Sequence, residues 1–499
     1  MKIQFISISF SKLSSGTLVL GVFEGKVLTS SAKRINVLAK GLIVNAMKSG
    51  AFNGKTGDFL FVRSPKILKI TKILLVGLGK AEKVDSLLMQ SLGGGICERL
   101  NTDQEKTAWI LLDSIKGKLT EKFVYLATGL RLRSYRFNKY FAKKKEGKDN
   151  FLQAVNMLVS NPSQTKSAFS KIDKVTDGVF LTRDLISEPS NVIYPSTLAK
   201  EAQRLSALGV KVEVLDEAKM RKLGMGSLLC VGQGSEKPSK LVVMQWNGSR
   251  KGKNKRPVAF VGKGVTFDTG GISIKPSNGM EEMKYDMGGS GVVIGLMKAL
   301  AGRKAKVNAV GVVGLVENMP SGSAVKPGDI VTSMSGQTIE VLNTDAEGRV
   351  VLADALWYCQ NRFNPRFIVD LATLTGAIIV ALGEEYAGLF SNDNNLADQI
   401  VNAGLAIGEK VWRLPLGDNY DKLLDSPVAD IQNITNQRGA GSITAAQFLQ
   451  RFVNKTPWAH LDIAGVTWAS KDKDIVPKGA TGYGVHLLNR LVSESYEEK

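Results

Sequence analysis

Residues 261–276 read VGKGVTFDTGGISIKP and carry the strongest structural signal in the chain. An apolar strand runs there into a glycine-rich turn, which is where open α/β sheets place their ligands. The turn contains Lys263, Asp268 and Lys275, and its glycines permit tight backbone geometry beside a ligand. This segment therefore predicts a buried sheet with a charged site at one edge.

Similar apolar runs lie on both sides of this segment and are typical of strands in a largely buried sheet. They cover residues 210–215, 240–246, 257–262, 307–316 and 366–374. Helical patterns between or after them cover residues 280–300, 349–361 and 444–454. We therefore predict a C-terminal α/β domain with a mixed central sheet, spanning residues 166–499.

The first third of the chain predicts a separate, smaller α/β domain over residues 1–165. Short β-type runs at 16–23, 58–63, 72–78 and 107–112 alternate with helical patterns at 30–49 and 84–100. Residues 1–165 carry 27 Lys and Arg against 11 Asp and Glu, a net charge of +16. The remainder, with 39 against 35, carries only +4, so the strong basicity belongs to the N-terminal domain.

Composition excludes several classes of protein. No apolar run approaches the roughly 18 residues of a membrane span, and the first residues lack the pattern of a signal peptide. The three cysteines are widely spaced and odd in number, which predicts no disulfide framework and favours the cytosol. Only two histidines are present, so a metal site here would be held mainly by oxygen ligands.

Further acids lie downstream of the glycine-rich turn. Asp286 lies on a predicted helix, and Asp345, Glu347 and Arg349 follow at a spacing of two. In extended backbone these last three side chains would point to one side. Four carboxylates in one pocket, Asp268 included, would repel one another without cations, and two divalent ions would balance them. Such ions, roughly 3.5–4 Å apart, can share and activate a water.

Oxygen ligands suit Mn²⁺, Mg²⁺ or Zn²⁺. From the residues alone, a two-metal hydrolytic site competes with a phosphatase or a nuclease. Any one of these charged residues by itself is more often a helix cap or a solvated loop residue.

Longer motifs resemble the leucyl aminopeptidase (cytosol aminopeptidase) family, in its bacterial type. NTDAEGR at 343–349 and GKGVTFDTGGISIK at 262–275 are the closest segments. DLATLTGA at 370–377, RGAGSITAAQFL at 438–449 and WAHLDIAG at 458–465 follow in the same order. The resemblance covers roughly residues 180–490 and is loose in the N-terminal third.

This resemblance implies an activity and a set of site residues. It assigns as metal ligands Lys263, Asp268, Asp286, Asp345 and Glu347, with Asp268 and Glu347 bridging two ions. It assigns as catalytic residues Lys275 and Arg349, the arginine holding a bicarbonate that serves as general base. It assigns as substrate-binding residues Met280, Thr373, Leu374 and Gly376. The implied reaction is hydrolysis of the first peptide bond by a hydroxide shared between Mn²⁺ or Zn²⁺ ions, with Mg²⁺ as an alternative.

The resemblance also implies the partners of the protein. These are short peptides with a free N-terminus, leucine and other bulky apolar residues being favoured, and further copies of the chain in a homohexamer. Some bacterial members of the family also bind DNA. The basic, aromatic-rich segment 131–148 makes an additional DNA-binding role an alternative, although a solvated helix face and linker is the simpler interpretation.

Two other features predict structural roles. The glycines of SLGGGI, residues 91–96, are more typical of a helix end than of a nucleotide site. His460 is more typical of a buried core residue than of a metal ligand.

Overall fold

The computed structural model describes residues 1–48, 50–63, 69–142, 151–249 and 256–498. It divides the chain into two compact units, Met1–Thr176 with Lys471–Pro477, and Asp177–Ser470 with Lys478–Lys499. The division falls inside a long helix, whereas the sequence-based boundary at 165 lies near the start of that helix.

The first unit is an α/β layer domain. Its strands are β1 (Lys2–Ser7), β2 (Thr17–Phe23), β3 (Val27–Leu28), β4 (Phe59–Arg63), β5 (Lys72–Gly79), β6 (Thr107–Leu111) and β7 (Ala154–Val159). Its helices are α1 (Ser30–Leu38), α2 (Leu42–Lys48), α3 (Ser86–Thr102), α4 (Leu119–Arg133) and α5 (Pro162–Ser187), which continues into the second unit. The strand order is β1-β7-β6-β2-β5-β4, with β3 beside β2. Apolar clusters cover both faces of this sheet, and the alternation of strands and helices is that of the predicted α/β domain.

Two helical predictions in the first unit need correction. The pattern at 30–49 forms two helices, because Lys40 and Gly41 have φ angles of 50° and 83° that interrupt the first. The run SLGGGI lies inside α3 rather than at its end. A Cβ on Gly93 would lie 2.1 Å from Leu126 O in α4, so these glycines allow close helix packing.

Part of the basic segment 131–148 is used within the first unit. The Arg133 side chain is 3% exposed and forms ion pairs with Glu98 at 3.0 Å and Asp472 at 2.8 Å. Arg131 also forms an ion pair in this unit. Residues 143–148 lie outside the described residues, so the DNA-binding alternative stays a prediction.

The second unit is larger and begins with the rest of α5. Its strands are β8 (Lys211–Leu215), β9 (Lys240–Asn247), β10 (Val258–Asp268), β11 (Asn308–Asn318), β12 (Asp329–Thr332), β13 (Thr338–Val341), β14 (Ile368–Ala372), β15 (Ala387–Ser391), β16 (Val411–Arg413), β17 (Ile431–Gln432), β18 (Trp458–Asp462), β19 (Trp468–Ala469) and β20 (Gly479–Ala480). Its other helices are α6 (Pro195–Gln203), α7 (Glu217–Lys222), α8 (Gly226–Gly232), α9 (Gly288–Gly302), α10 (Glu347–Phe363), α11 (Gly376–Leu382), α12 (Asn394–Ile407), α13 (Asp418–Asp421), α14 (Gly441–Gln450) and α15 (Val485–Ser495).

The main sheet of this unit is mixed, which confirms the predicted fold class. Its order is β16-β15-β18-β14-β10-β11-β9-β8. Strands β18, β14, β10 and β11 are parallel, whereas β15 pairs antiparallel with β18, and β9 pairs antiparallel with β11 and β8. The carboxyl ends of the four parallel strands therefore meet at one edge, where the loops that follow them build the site.

Helix boundaries near this edge differ from the predictions. The pattern at 280–300 splits into a 3-10 turn at Met280–Tyr285 and helix α9 from Gly288. A Cβ on Gly289 would lie 2.0 Å from Leu371 O, so α9 begins where two glycines allow close approach to β14. None of the helices in the described ranges combines the length and apolar character needed to cross a bilayer.

Candidate metal centre

Lys263 lies at the middle of a buried network on β10. Its side chain is 3% exposed, and Nζ lies 2.7 Å from Asp286 Oδ1 and 2.8 Å from Glu347 Oε1. The same ammonium donates to Thr373 O at 2.9 Å. Thr373 Oγ1 donates in turn to Asp286 Oδ1 at 2.7 Å. One lysine therefore joins the loops after β10, β13 and β14.

Lys275 forms a second, more open network beside the first. Its Nζ lies 2.9 Å from Asp268 Oδ2 and forms an ion pair with Asp345. Asp268 Oδ1 accepts hydrogen bonds from Gly270 N at 2.9 Å and Asn318 Nδ2 at 2.8 Å. The structure thus brings together all five sequence-predicted ligands and one of the two predicted catalytic residues.

The carboxyls of this cluster have perturbed pKa values. Burial, with repulsion from Glu347 and Asp268, holds the pKa of Asp286 well above its usual range, although Lys263 opposes the shift. Burial likewise raises the pKa of Glu347, and Asp268 adds to that effect. Burial is also the main cause of the raised pKa of Asp345. The carboxylates are therefore short of positive charge.

The pKa values of the two lysines are also raised, which for a lysine favours the charged form. Burial acts to lower the pKa of Lys263, but the neighbouring carboxylates outweigh it and raise the pKa. The same balance of burial against Asp268 and Asp345 raises the pKa of Lys275. In the absence of other cations, both lysines are therefore charged at neutral pH.

The donor set fits divalent cations. One carboxylate oxygen from each of Asp268, Asp286 and Glu347 lies within 4.8 Å of the others. Asp286 Oδ2 is buried and accepts no hydrogen bond from any residue that the structure describes. A buried carboxylate oxygen without a donor is costly unless a cation meets it. Hard oxygen ligands with one amine suit Mn²⁺, Mg²⁺ or Zn²⁺.

The predicted extended geometry of Asp345, Glu347 and Arg349 is wrong. Asp345 lies in a turn, and Glu347 and Arg349 belong to the first turn of α10. Helical backbone does not place residues two apart on one face. The acids still converge because Asp345 meets Lys275 while Glu347 meets Lys263.

Arg349 is a buried cation with few partners. Its Nη1 donates to Asn433 O at 2.9 Å, whereas its Nε has no acceptor among the described residues. Burial lowers the pKa of this guanidinium to about 10, against the opposing effect of Glu347 and Asp462. Arg349 lines a cavity of about 490 Å³ whose other walls come from α11 and the segment 434–444. The site can therefore accept an anion.

The predicted substrate-binding residues lie on two loops. Thr373 and Leu374 follow β14, and Gly376 begins α11. Leu374 N donates to the buried carboxylate Asp462 at 3.1 Å. Met280 begins the 3-10 turn that leads to Asp286 and is partly buried.

Sequence reasoning missed three polar residues that hold these loops: Asn318, Asn433 and Asp462. Asn318 ends the apolar strand β11 and is in register with Asp268, so a polar residue at a parallel strand end was the available signal. Asp462 ends the parallel strand β18 inside the motif at 458–465, so the same signal was available for it, whereas Asn433 lies far along the chain from its partners and had no comparable signal. His460 is fully buried and its Nδ1 lies 2.6 Å from Asp370 Oδ1, as the prediction of a core residue requires.

Comparisons with known proteins define the class. Residues 180–489 match the catalytic domain of the cytosol aminopeptidase family, and residues 19–144 match its N-terminal domain. With the mixed sheet and the lysine–carboxylate cluster, these matches define a metal-dependent exopeptidase, a hydrolase. The chain belongs to the cytosol aminopeptidase family.

Individual relatives agree over almost the whole length. A probable cytosol aminopeptidase of Nitrobacter winogradskyi is 52% identical, covering 100% of this chain and 99% of the relative. Another from Caulobacter vibrioides is 49% identical, covering 100% of both chains. The structure of a tomato leucine aminopeptidase variant superposes with a TM-score of 0.88 at 34% identity, covering 99% of this chain and 96% of that one. The bottromycin maturation enzyme BotP in complex with Mn has a TM-score of 0.83 at 30% identity, covering 96% and 98%.

Proposed function

We propose that this exopeptidase releases leucine and other bulky apolar residues from the N-terminus of short peptides, with two divalent ions bound by Lys263, Asp268, Asp286, Asp345 and Glu347. Lys263, Asp268, Asp286 and Glu347 would hold one ion, and Asp268, Asp345 and Glu347 would hold the other. The observation that carries this proposal is the buried convergence of carboxylate oxygens within 4.8 Å, with Asp286 Oδ2 accepting no hydrogen bond from the described part of the chain.

When bound, the two ions would polarise the scissile carbonyl and lower the pKa of a water between them. Lys263 binds an ion only as the neutral amine, so loading releases a proton and depends on pH. The α-amine of the peptide lies beside Asp286 in this proposal, which explains the need for a free N-terminus. Main-chain groups at Thr373, Leu374 and Gly376 orient the peptide.

Lys275 and Arg349 have different roles. The Lys275 ammonium is 21% exposed, and its raised pKa keeps it charged, so it can stabilise negative charge developing on the carbonyl oxygen. Arg349 is too basic to act as a general base. Its Nε, which has no acceptor in the described ranges, and the adjoining cavity support the binding of bicarbonate, which would accept the proton.

The remaining parts of the proposal concern the ions, the assembly and the location. Mn²⁺ or Zn²⁺ are the proposed ions, with Mg²⁺ as an alternative, and BotP, a structural relative, is known in complex with Mn. Met280 lines the apolar side-chain pocket. The protein acts in the cytoplasm as a homohexamer, in line with the name of its relatives and the implied family architecture.

Hydrolysis of leucine p-nitroanilide tests the proposal. Metal-stripped protein should be inactive and should recover with Mn²⁺ or Zn²⁺. The Glu347→Ala variant and an N-acetylated substrate should both abolish release. Activity in the stripped protein, or equal hydrolysis of the acetylated substrate, would contradict the mechanism.

A further inference from the structure

We propose that two buried asparagines, Asn318 and Asn433, are positioning residues that hold the carboxylate ligands for the two ions. This inference rests on the proposed two-ion function and extends it to residues that touch neither ion. Asn318 acts on Asp268, which is shared between the ions. Asn433 acts on the turn that carries Asp345, a ligand of one ion only.

The side-chain amide of Asn433 forms four hydrogen bonds with the segment between β13 and α10. Its main-chain N–H donates to Glu340 O at 2.9 Å, which is the last ladder hydrogen bond between β13 and the β17 segment. Beyond that point Oδ1 accepts from Leu342 N at 2.9 Å and from Asn343 N at 3.3 Å. Nδ2 donates to Asn343 O at 2.7 Å and to Ala346 O at 3.3 Å. The amide therefore replaces a neighbouring strand where the chain turns towards the site.

The turn held in this way is also anchored at Thr344, whose Oγ1 donates to Gly270 O at 2.6 Å, whereas Asn433 holds the residues on either side of Thr344. Asp345 N donates to Asn343 Oδ1 at 2.8 Å, so the position of Asp345 follows that of Asn343. Ala346 is the N-cap of α10 and supplies no side-chain cap. Asn433 is 1% exposed, so water cannot readily replace its amide when it is removed. Displacing Asn343 would displace Asp345, whereas the carbonyl that holds Arg349 belongs to the main chain of Asn433 and survives substitution.

Asn318 connects the end of β10 to the turn before α10 by one amide group. Its Nδ2 donates to Asp268 Oδ1 at 2.8 Å and to Thr344 O at 3.0 Å. It is 2% exposed, and its main-chain oxygen accepts from Thr269 N at 3.1 Å. The hydrogen bond to Oδ1 fixes the rotation of the Asp268 carboxylate. Because Asp268 serves both ions, loss of this amide should affect both.

Titration with Mn²⁺, followed by calorimetry and by the electron paramagnetic resonance signal of the free ion, tests the assignment on the full-length protein. Asn433→Ala should raise the dissociation constant of the ion that Asp345 binds by roughly 10–100-fold, the usual cost of losing a residue that orients a metal ligand. The constant of the ion that Lys263 and Asp286 bind should stay unchanged. Asn318→Ala should raise both constants. Asn433→Asp keeps the two acceptor bonds, so it is the variant to use if the alanine protein does not fold, and it should show the same selective loss.

Asn101 provides the matched control. It is 8% exposed in the first unit, donates to Cys97 O at 2.8 Å and accepts from Leu152 N at 3.1 Å. Asn101→Ala should lower stability without changing either Mn²⁺ constant. Equal weakening of both ions in Asn433→Ala, wild-type binding in that variant, or an effect of Asn101→Ala on Mn²⁺ would each overturn the inference. A wild-type protein that binds fewer than two Mn²⁺ ions would instead refute the two-ion proposal itself, and this inference with it.

Discussion

Replacing Asp286 by asparagine should make the metal-free protein more stable. It should also reduce the stabilisation that the protein gains when metal is added. Asp286 Oδ1 accepts from both Lys263 and Thr373, and the asparagine oxygen can keep both bonds. Oδ2 has no donor among the described residues, and the amide NH₂ would take its position. Carboxylate oxygens of Asp268 and Glu347 lie within 4.8 Å and can accept from that group.

The gain in the metal-free state follows from relief of an unsatisfied buried atom. Such an atom costs about 1–3 kcal/mol, so the variant should gain about that much in free energy of unfolding at neutral pH. The sign follows from the raised pKa of Asp286. A carboxyl with a raised folded-state pKa destabilises the fold increasingly as the pH rises above its unfolded value, near 3.8. The advantage of the variant should therefore vanish as the pH falls towards 4.

The effect on the loaded protein runs in the opposite direction. An ion present at 1,000 times its dissociation constant stabilises the native state by about 4.1 kcal/mol. If loss of the ligand weakens binding by about a hundredfold, the same concentration contributes only about 1.4 kcal/mol. The stabilisation on adding Mn²⁺ should thus fall by about 2.7 kcal/mol.

Thermal and urea unfolding of both proteins, stripped and Mn²⁺-loaded, measure these quantities between pH 4 and 8. Asp370→Asn is the control, because its two oxygens are satisfied by His460 Nδ1 and Trp458 Nε1, each at 2.6 Å. That substitution should destabilise the stripped and loaded proteins alike. A stripped Asp286→Asn protein that is less stable than wild type at pH 7, or an undiminished response to Mn²⁺, would refute the reasoning.

Three further predictions concern catalysis, packing and nucleic acid. Lys275→Met should lower kcat by about 10²–10³-fold, the cost of one oxyanion donor, with Mn²⁺ binding retained in calorimetry; unchanged kcat would exclude the proposed role. Gly129→Ala should cost about 1–3 kcal/mol in urea unfolding, since its Cβ would lie 1.9 Å from Gln90 O, while kcat stays the same; an unaffected midpoint would contradict the close packing. If segment 131–148 binds DNA, fluorescence anisotropy should show a steep salt dependence that weakens when its lysines are neutralised, and absence of binding at low salt would remove this alternative.

The strands of the second unit were predictable because each buried strand corresponds to a local run of apolar residues. Each run proposed for the second unit contains or overlaps a strand, but the order of the runs along the chain does not show which strands pair, since β11 lies between β9 and β10 in the sheet. Helix starts were less predictable, since they depend on contacts between distant segments. The start of α9 depends on Gly289 passing within van der Waals distance of Leu371 O, and no local pattern encodes that approach.

In the site too, local sequence identified the residues, whereas their geometry depends on contacts with residues far along the chain. The motif at 343–349 identified Asp345 and Glu347, but the extended geometry inferred from their spacing was wrong because α10 begins at Glu347. What makes the two acids converge is the pair of lysines on and after β10, together with an amide 90 residues away that holds Asn343. Charged ligands can be recognised in a sequence because several carboxylates in one buried site would repel one another without cations, which suggests a metal site. A neutral asparagine that fixes their geometry has no such signature, so its role becomes visible only when its four hydrogen bonds are traced in the folded chain.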